Sequence, residues 1–244
     1  MGIFYIKKKE EKRNISCNSW VYANEVSRIE GKGANGSLAT VYSFDGRYIG
    51  KGYINHLSKI LVRIFIRTQE TDDENFYLDK IKKANDYRLK LGYSDCYRMV
   101  FAEADNLPAL IIDKYGDILV MQCLSLGIDL KKQTICDCLI KLFSPKGIYE
   151  RSDVAVRKKE GLPETKQVLY GEIPDYVKIC ENGIYMLVDV KNGQKTGYFL
   201  DQKENRFAAR KYCHGQILDC FCNSGGFTLN AATVADCVTA CDIS

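Results

Sequence analysis

The most constraining stretch of this chain is Ile217-Leu218-Asp219-Cys220-Phe221-Cys222-Asn223-Ser224-Gly225-Gly226-Phe227-Thr228, which runs on to Asp242. The apolar run Ile217–Phe221 reads as a buried strand. Asn, Ser and two glycines then break it. Gly226–Thr233 reads as a helix, and Val238–Asp242 as a second strand ending in an acid. Strand, glycine turn, helix and acid-tipped strand is how a nucleotide-like cofactor site begins. Glycine lets the backbone approach a ligand, and a helix start offers unpaired N–H groups. An acid at the end of the second strand accepts from ribose hydroxyls.

Three readings of this turn remain open at this stage. A class I S-adenosylmethionine site places Gly225-Gly226 at the close approach, Asp242 on the ribose, and Asp219 beside the methionine end. A dinucleotide site wants G-x-G-x-x-G, which is absent. A bare strand–helix turn would use both glycines for packing alone.

Upstream, residues 15–67 read as all-β. The runs Leu38–Phe44, Tyr48–Ile49 and Ile60–Ile66 are separated by turn chemistry at Gly31–Gly36 and Asp45-Gly46-Arg47. Several short strands in so few residues predict a small barrel. Thr71-Asp72-Asp73-Glu74 then signals a helix start, and the spacing predicts a helix over 74–91, closed by Gly92. Strands are expected at Tyr97–Glu103, Ala109–Lys114, Ile118–Leu124, Gly147–Arg151 and Ile184–Val190. Helices are expected at 129–143 and Phe199–Tyr212. The fold expected is multidomain, α+β and α/β: a β-barrel module over 1–70, a central α+β domain over 71–190, and the start of a Rossmann-like domain over 191–244.

Charge divides along the same line. Residues 1–70 hold 12 Lys/Arg against 6 Asp/Glu, a net of +6; residues 71–244 hold 23 against 25, a net of −2. A basic module on a near-neutral body points to a polyanionic partner, although a solvated surface with a charged leader at Lys7–Arg13 gives the same count. Eleven cysteines with no C-x-x-C spacing, and only His56 and His214 beside them, predict no metal site. No secretion signal is read at the start, so most cysteines are expected to be buried small hydrophobes, not disulfides. No run approaches the ~18 apolar residues of a membrane span. The expected compartment is the cytoplasm.

Several segments together resemble one family: Ser19-Trp20-Val21-Tyr22, Glu103–Leu110, Arg151-Ser152-Asp153 through Gly161, Lys195-Thr196-Gly197-Tyr198-Phe199-Leu200-Asp201-Gln202, and Asp219–Phe227. The chain is similar from about residue 15 onward to bacterial large-subunit ribosomal RNA cytosine-C5 methyltransferases. The Arg-Ser-Asp and Gly-Tyr-Phe-Leu-Asp-Gln segments are the specific signals.

The resemblance implies a PUA domain, a central EEHEP-type domain and a Rossmann-like S-adenosylmethionine domain. It implies that Phe199, Gln202 and Arg206 pack over the cofactor, and that Asp219, Asn223, Gly225, Gly226 and Phe227 form its turn. Asp242 would be the ribose acid. Ribosomal RNA is the implied partner, with Arg151, Arg157, Lys158 and Lys159 placed to meet phosphates unless they belong to a solvated loop; a homodimer is compatible with the reading.

Methylating cytosine carbon 5 needs a thiolate that adds at carbon 6 and a base that removes the carbon-5 proton. In the family that cysteine follows the fourth strand of the catalytic sheet, and this chain reaches the second. Cys220 and Cys222 flank the cofactor edge and are expected to pack. The expectation is therefore a shortened chain with no catalytic residue of its own, the nucleophilic cysteine belonging downstream of Ser244. The alternatives are a non-catalytic RNA-binding module, or a methyltransferase of the same layout with another target base.

Overall fold

The computed structural model describes residues 2–10, 18–68 and 70–243. The sequence reading of residues 11–17, including part of the charged leader, lies outside the described residues. So does Ser244, and with it the expectation of a catalytic cysteine downstream of that position.

β1 (Gly2–Ile6), β2 (Trp20–Tyr22), β3 (Val26–Glu30), β4 (Leu38–Tyr42), β5 (Tyr48–Ile54) and β6 (Ile60–Ile66) form one six-stranded sheet, ordered β2-β6-β5-β4-β1-β3. The order is linear, with β2 and β3 at its two ends. β1 was not expected, since the strands were read only from residue 15 onward, beyond the charged leader at Lys7–Arg13. Phe4 and Ile6 alternate onto the core face of this sheet and are fully buried, which holds the strand between β3 and β4. Their partners there include Val41, Ile54, Val62 and Ile64. A Cβ on Gly52 would lie 2.0 Å from the Arg63 carbonyl oxygen, so the β5–β6 crossing admits only glycine.

α1 (Glu74–Lys90) begins where the sequence signals it. Asp73 caps it by accepting from the Phe76 N–H at 3.0 Å. That bond, first among its causes, holds the Asp73 carboxyl below the usual range. Next come β7 (Cys96–Phe101), β8 (Leu110–Tyr115), β9 (Ile118–Cys123), α2 (Leu126–Leu130), α3 (Lys132–Phe143), β10 (Gly147–Ser152) and β11 (Thr165–Gly171). The five strands order as β11-β10-β9-β8-β7. Only β9 and β10 run parallel, and α2 with α3 makes the crossover that a parallel pair requires. The helix expected over 129–143 is divided at Lys131 into two.

Both faces of this sheet are covered. On one, Met99, Leu110 and Met121 meet Phe76, Tyr77, Ile81, Ile135 and Leu139 from α1 and α3. Burying each large apolar side chain contributes roughly 1.5–3 kcal/mol. On the other, Tyr115, Ile118 and Val120 meet the hairpin of β12 (Val177–Glu181) and β13 (Ile184–Val188), together with Tyr198 and Leu200.

One polar knot joins the first sheet to the second. Glu160, 3 % exposed, accepts from Ser58 Oγ at 2.5 Å, Arg63 Nη2 at 2.7 Å and Asn55 Nδ2 at 3.0 Å. Trp20 Nε1 adds a bond to Glu103 at 2.7 Å. The six-stranded sheet is thus fixed against the central one through buried hydrogen bonds, not through a loose linker.

The last elements are α4 (Lys203–Ala209), β14 (Gln216–Cys220), α5 (Gly226–Ala231) and β15 (Cys237–Cys241). β14 and β15 pair in parallel, Gln216 opposite Cys237 through Cys220 opposite Cys241. Ile217–Phe221 does not become the buried strand expected from its composition. Leu218 is 63 % and Phe221 80 % exposed, because two strands and one short helix cover little of each other among the described residues.

Candidate functional site

The segment before β14 is anchored first. Asp113, fully buried, accepts from Arg98 Nε at 2.8 Å, Arg98 Nη2 at 3.0 Å and Thr196 Oγ1 at 2.6 Å. Tyr115 Oη lies 2.8 Å from the same threonine hydroxyl. Thr196 therefore ties the Lys195–Leu200 stretch to the central sheet. The helix expected over Phe199–Tyr212 forms as a 3-10 turn, Leu200–Gln202, running directly into α4.

Arg206 of α4 is 2 % exposed and gives its guanidinium to Glu181 of β12, Nε to Oε1 at 2.6 Å and Nη2 to Oε2 at 2.9 Å. Nη2 also donates to the Phe199 carbonyl at 2.8 Å. The resemblance placed this residue over the cofactor. Its Nε and Nη2 are bonded inside the protein, and its side chain lines the cavity at the glycine turn and packs against it. A Cβ on Gly226 would meet Tyr198 Oη at 2.5 Å and Arg206 Cδ at 2.9 Å. Gly226 is thus required by packing against Arg206 and Tyr198.

The turn itself carries an unusual run of left-handed backbone: Phe221 at φ 62°, Asn223 at φ 49° and Gly225 at φ 77°. Side-chain bonds hold it. Thr228 Oγ1 donates to Asp219 Oδ2 at 2.5 Å, and the Asn223 N–H donates to Asp242 Oδ2 at 2.7 Å. The acid that ends the second strand thereby reaches back to the turn that follows the first.

Phe199, Gln202, Arg206, Asn223, Gly226 and Phe227 all line one cavity of about 140 Å³. Asp219, Gly225 and Asp242 frame the turn around it. This cavity is smaller than the roughly 300–1,000 Å³ that encloses a drug-sized ligand. It has room for one end of a nucleoside–amino-acid cofactor, with the turn in its wall and the Asp242 carboxylate beside it, where it accepts from the Asn223 and Ile243 N–H groups. The residues present therefore fit part of that cofactor.

Cys222 sits at the cavity edge. Loss of solvation, then the nearby Asp242 and Asp219 carboxylates, push its thiol up. That is the opposite of what activates a nucleophile. The cysteines divide by position. Cys96, Cys123, Cys136 and Cys138 are buried as expected, whereas Cys220, Cys237 and Cys241 are exposed on the thin β14–β15 sheet.

The four basic residues assigned to RNA part into two kinds. Arg151 is 5 % exposed, its guanidinium donating to Asp153, the Val190 carbonyl at 2.9 Å and the Gly193 carbonyl at 3.0 Å. Arg157 is 1 % exposed and donates to the Pro163 carbonyl at 2.7 Å, Asp129 at 2.8 Å and the Cys123 carbonyl. Neither presents its guanidinium at the surface, because each is enclosed and bonded to the chain. Lys158 and Lys159 stand exposed beside them, Lys158 in a surface pair with Glu164 at 2.8 Å. Around Arg157, donor atoms of Cys123, Asp129 and Glu150 lie within 4.8 Å of one another. The Lys132 ammonium already stands among them, 3.1 Å from Asp129 and 2.9 Å from Glu150, so positive charge is supplied by the chain itself.

Sequence reasoning missed Glu181 and Asp113, two buried acids that position the site, and Glu160, which joins the two sheets. A lone acid inside an apolar run was the available signal, as in Ile111-Ile112-Asp113 and Ile179-Cys180-Glu181.

With this geometry in view, residues 4–67 match the PUA-like domain family. The ribosomal RNA large subunit methyltransferase I of Aeromonas hydrophila is 41% identical over 234 residues, covering 93% of this chain and 59% of that protein. The methyltransferase I of Vibrio cholerae is 42% identical over 233 residues, covering 93% and 58%. The chain thus spans about 59% of the length of the curated relatives it matches. Among solved structures, a candidate SAM-dependent methyltransferase from Streptococcus mutans superposes with a TM-score of 0.81 at 21% identity, over 100% of this chain and 64% of that one. That likeness is one of fold.

Proposed function

We propose that this chain supplies the RNA-binding module and the cofactor turn of an S-adenosylmethionine-dependent large-subunit ribosomal RNA methyltransferase whose target is carbon 5 of a cytosine. Residues 1–70 bind RNA, 71–190 form the central domain, and 191–244 begin the cofactor domain. The observation that carries the reading is the similarity to large-subunit methyltransferases, which runs through 93% of the chain. It is supported by the turn geometry, with Asp242 and Asn223 joined across the ends of β14 and β15.

S-adenosylmethionine, when bound, supplies an electrophilic methyl group. The chain's own residues bind and orient it. Backbone N–H groups of the left-handed turn offer donors to its polar end, and Asp242 accepts from ribose hydroxyls. Phe199 and Phe227 shield the cavity, and Arg206 with Glu181 keeps the turn in place. Lys158 and Lys159, together with the basic module, hold RNA phosphates; such contacts position RNA without reading its sequence.

Deleting the whole gene to which this chain belongs tests the reading in the cell. Nucleoside mass spectrometry of large-subunit RNA fragments should lose one 5-methylcytosine. An unchanged 5-methylcytosine profile, or loss of a methyl group from another base, would remove the cytosine assignment.

A further inference from the structure

The segment that faces the glycine turn has a second side. Phe199, Gln202 and Arg206 line the cavity at the turn, whereas Leu200, Asp201, Lys203 and Glu204 line a separate cavity of about 240 Å³. α1 and β7 close this second cavity. Nine residues, Tyr198 to Arg206, therefore wall off two chambers from one another.

The second chamber has flat walls. The rings of Tyr93 and Tyr97 stack at 6.1 Å with a 24° interplanar angle. The Phe101 ring is 50 % exposed, with the Arg98 guanidinium 5.2 Å from its centroid. The Lys203 ammonium stands 5.0 Å from the Tyr93 centroid.

Its charges are mixed: the Lys203 ammonium lines it together with two guanidinium groups and two acids. Arg98 is held by Asp113 at 2.8 and 3.0 Å, and Arg88 is held by both oxygens of Asp105. Both guanidinium groups are neutralised by carboxylates, so what they offer a ligand is a planar face. Asp201, paired with Lys195 at 2.9 Å, and Glu204 are exposed acids at the same chamber and offer carboxylate acceptors. Aromatic rings and guanidinium planes stack on nucleobases. A carboxylate accepts from an exocyclic amino group, as it does from cytosine N4. The volume suits a single base and excludes a duplex.

We propose that this chamber receives one unstacked base of the RNA substrate, stacked on Phe101 and bonded through its exocyclic amino group to Glu204 or Asp201. It rests on the RNA reading above. The base held here is a neighbour of the methylated one, because the Tyr198–Arg206 wall separates it from the glycine turn. The chamber is a specificity site: it favours adenine, cytosine or guanine over uracil.

The test is photocrosslinking with a single-stranded oligoribonucleotide of about ten nucleotides carrying 5-iodocytidine, followed by peptide mapping, beside titrations of the same RNA into variants. Crosslinks are expected at Phe101 or Tyr93. Phe101→Ala should lower affinity on the order of tenfold, and Phe101→Tyr, which keeps the ring, should retain it. Phe101 is half exposed, so neither variant should disturb folding. Crosslinks confined to residues 1–67, with Phe101→Ala binding like the wild type, would overturn the chamber and leave RNA binding intact. No binding by the wild-type chain would overturn the RNA reading itself, and the chamber with it.

Discussion

Glu181 and Arg206 form a bidentate ion pair, 2.6 and 2.9 Å, with both side chains almost entirely out of water. One sits on the β12–β13 hairpin that covers the central sheet, the other on the helix beside the glycine turn. The pair is the main polar bond between those two parts, and it sets where α4 lies.

Removing one partner leaves the other charge buried and unpaired. Glu181→Ala should cost roughly 3–5 kcal/mol, read as a lower urea midpoint. Replacing both by apolar residues of similar size, Glu181→Leu with Arg206→Met, should recover most of that loss. A direct cofactor role for Arg206 would show differently, as weakened binding in Arg206→Met with no change in stability.

The knot at Glu160 makes a second prediction. Glu160→Ala strands Arg63 and two further donors, Ser58 and Asn55, and should destabilise by roughly 3–5 kcal/mol. Ser58→Ala, which removes one of three donors, should cost closer to 1 kcal/mol. Equal losses in chemical denaturation would mean that the acid is not the centre of the junction.

The basic residues separate by salt dependence. Lys158→Ala and Lys159→Ala should each lower RNA affinity and reduce the salt slope by about 0.7–0.9, with unchanged melting. Arg157→Ala should instead lower the melting temperature, because its guanidinium is bonded to Asp129 and two carbonyls. If Arg157→Ala melted like the wild type and lost RNA binding, its assignment to the interior would be contradicted.

The cysteines give a pH test. Burial pushes the Cys96 thiol up to about 12, and burial also raises Cys123. In the unfolded chain both ionise near the ordinary value of 9.0. As pH rises past that value the unfolded state loses protons that the folded state keeps, so stability falls with increasing pH. It is fully present below it. In native protein at about pH 8, iodoacetamide should label Cys220, Cys237 and Cys241 and leave Cys96 and Cys123 intact; early labelling of Cys123 would refute the burial argument.

Much of the architecture was legible because periodicity and turn chemistry coincide, as in α1, where Asp73 caps a helix whose Phe76, Tyr77, Ile81 and Ala84 are buried. β11 was not: it is an edge strand whose residues are mostly exposed, so no apolar alternation marks it. β1 was hidden by the lysines that follow it. At the site, the strand–turn–helix and the Asn223–Asp242 bond across it form because glycine, Asn and acid act through backbone geometry that sequence encodes locally. The bonding of the arginines was not legible: Arg206 lines the cavity as read but is tied to Glu181, and Arg151 and Arg157 are enclosed. A guanidinium meets a carboxylate or a phosphate by the same chemistry, and the partner that decides between them, Glu181 for Arg206 or Asp129 for Arg157, lies 25 to 28 residues away in sequence.

The central claim is that the turn from Asp219 to Phe227, closed by Asp242, holds S-adenosylmethionine. Calorimetric titration of S-adenosylmethionine into this chain, and into its Asp242→Ala variant, tests it most directly. The account predicts saturable one-to-one binding that Asp242→Ala weakens at least tenfold, about 1.4 kcal/mol, with the fold intact. No saturable binding, or equal binding by the variant, would contradict it.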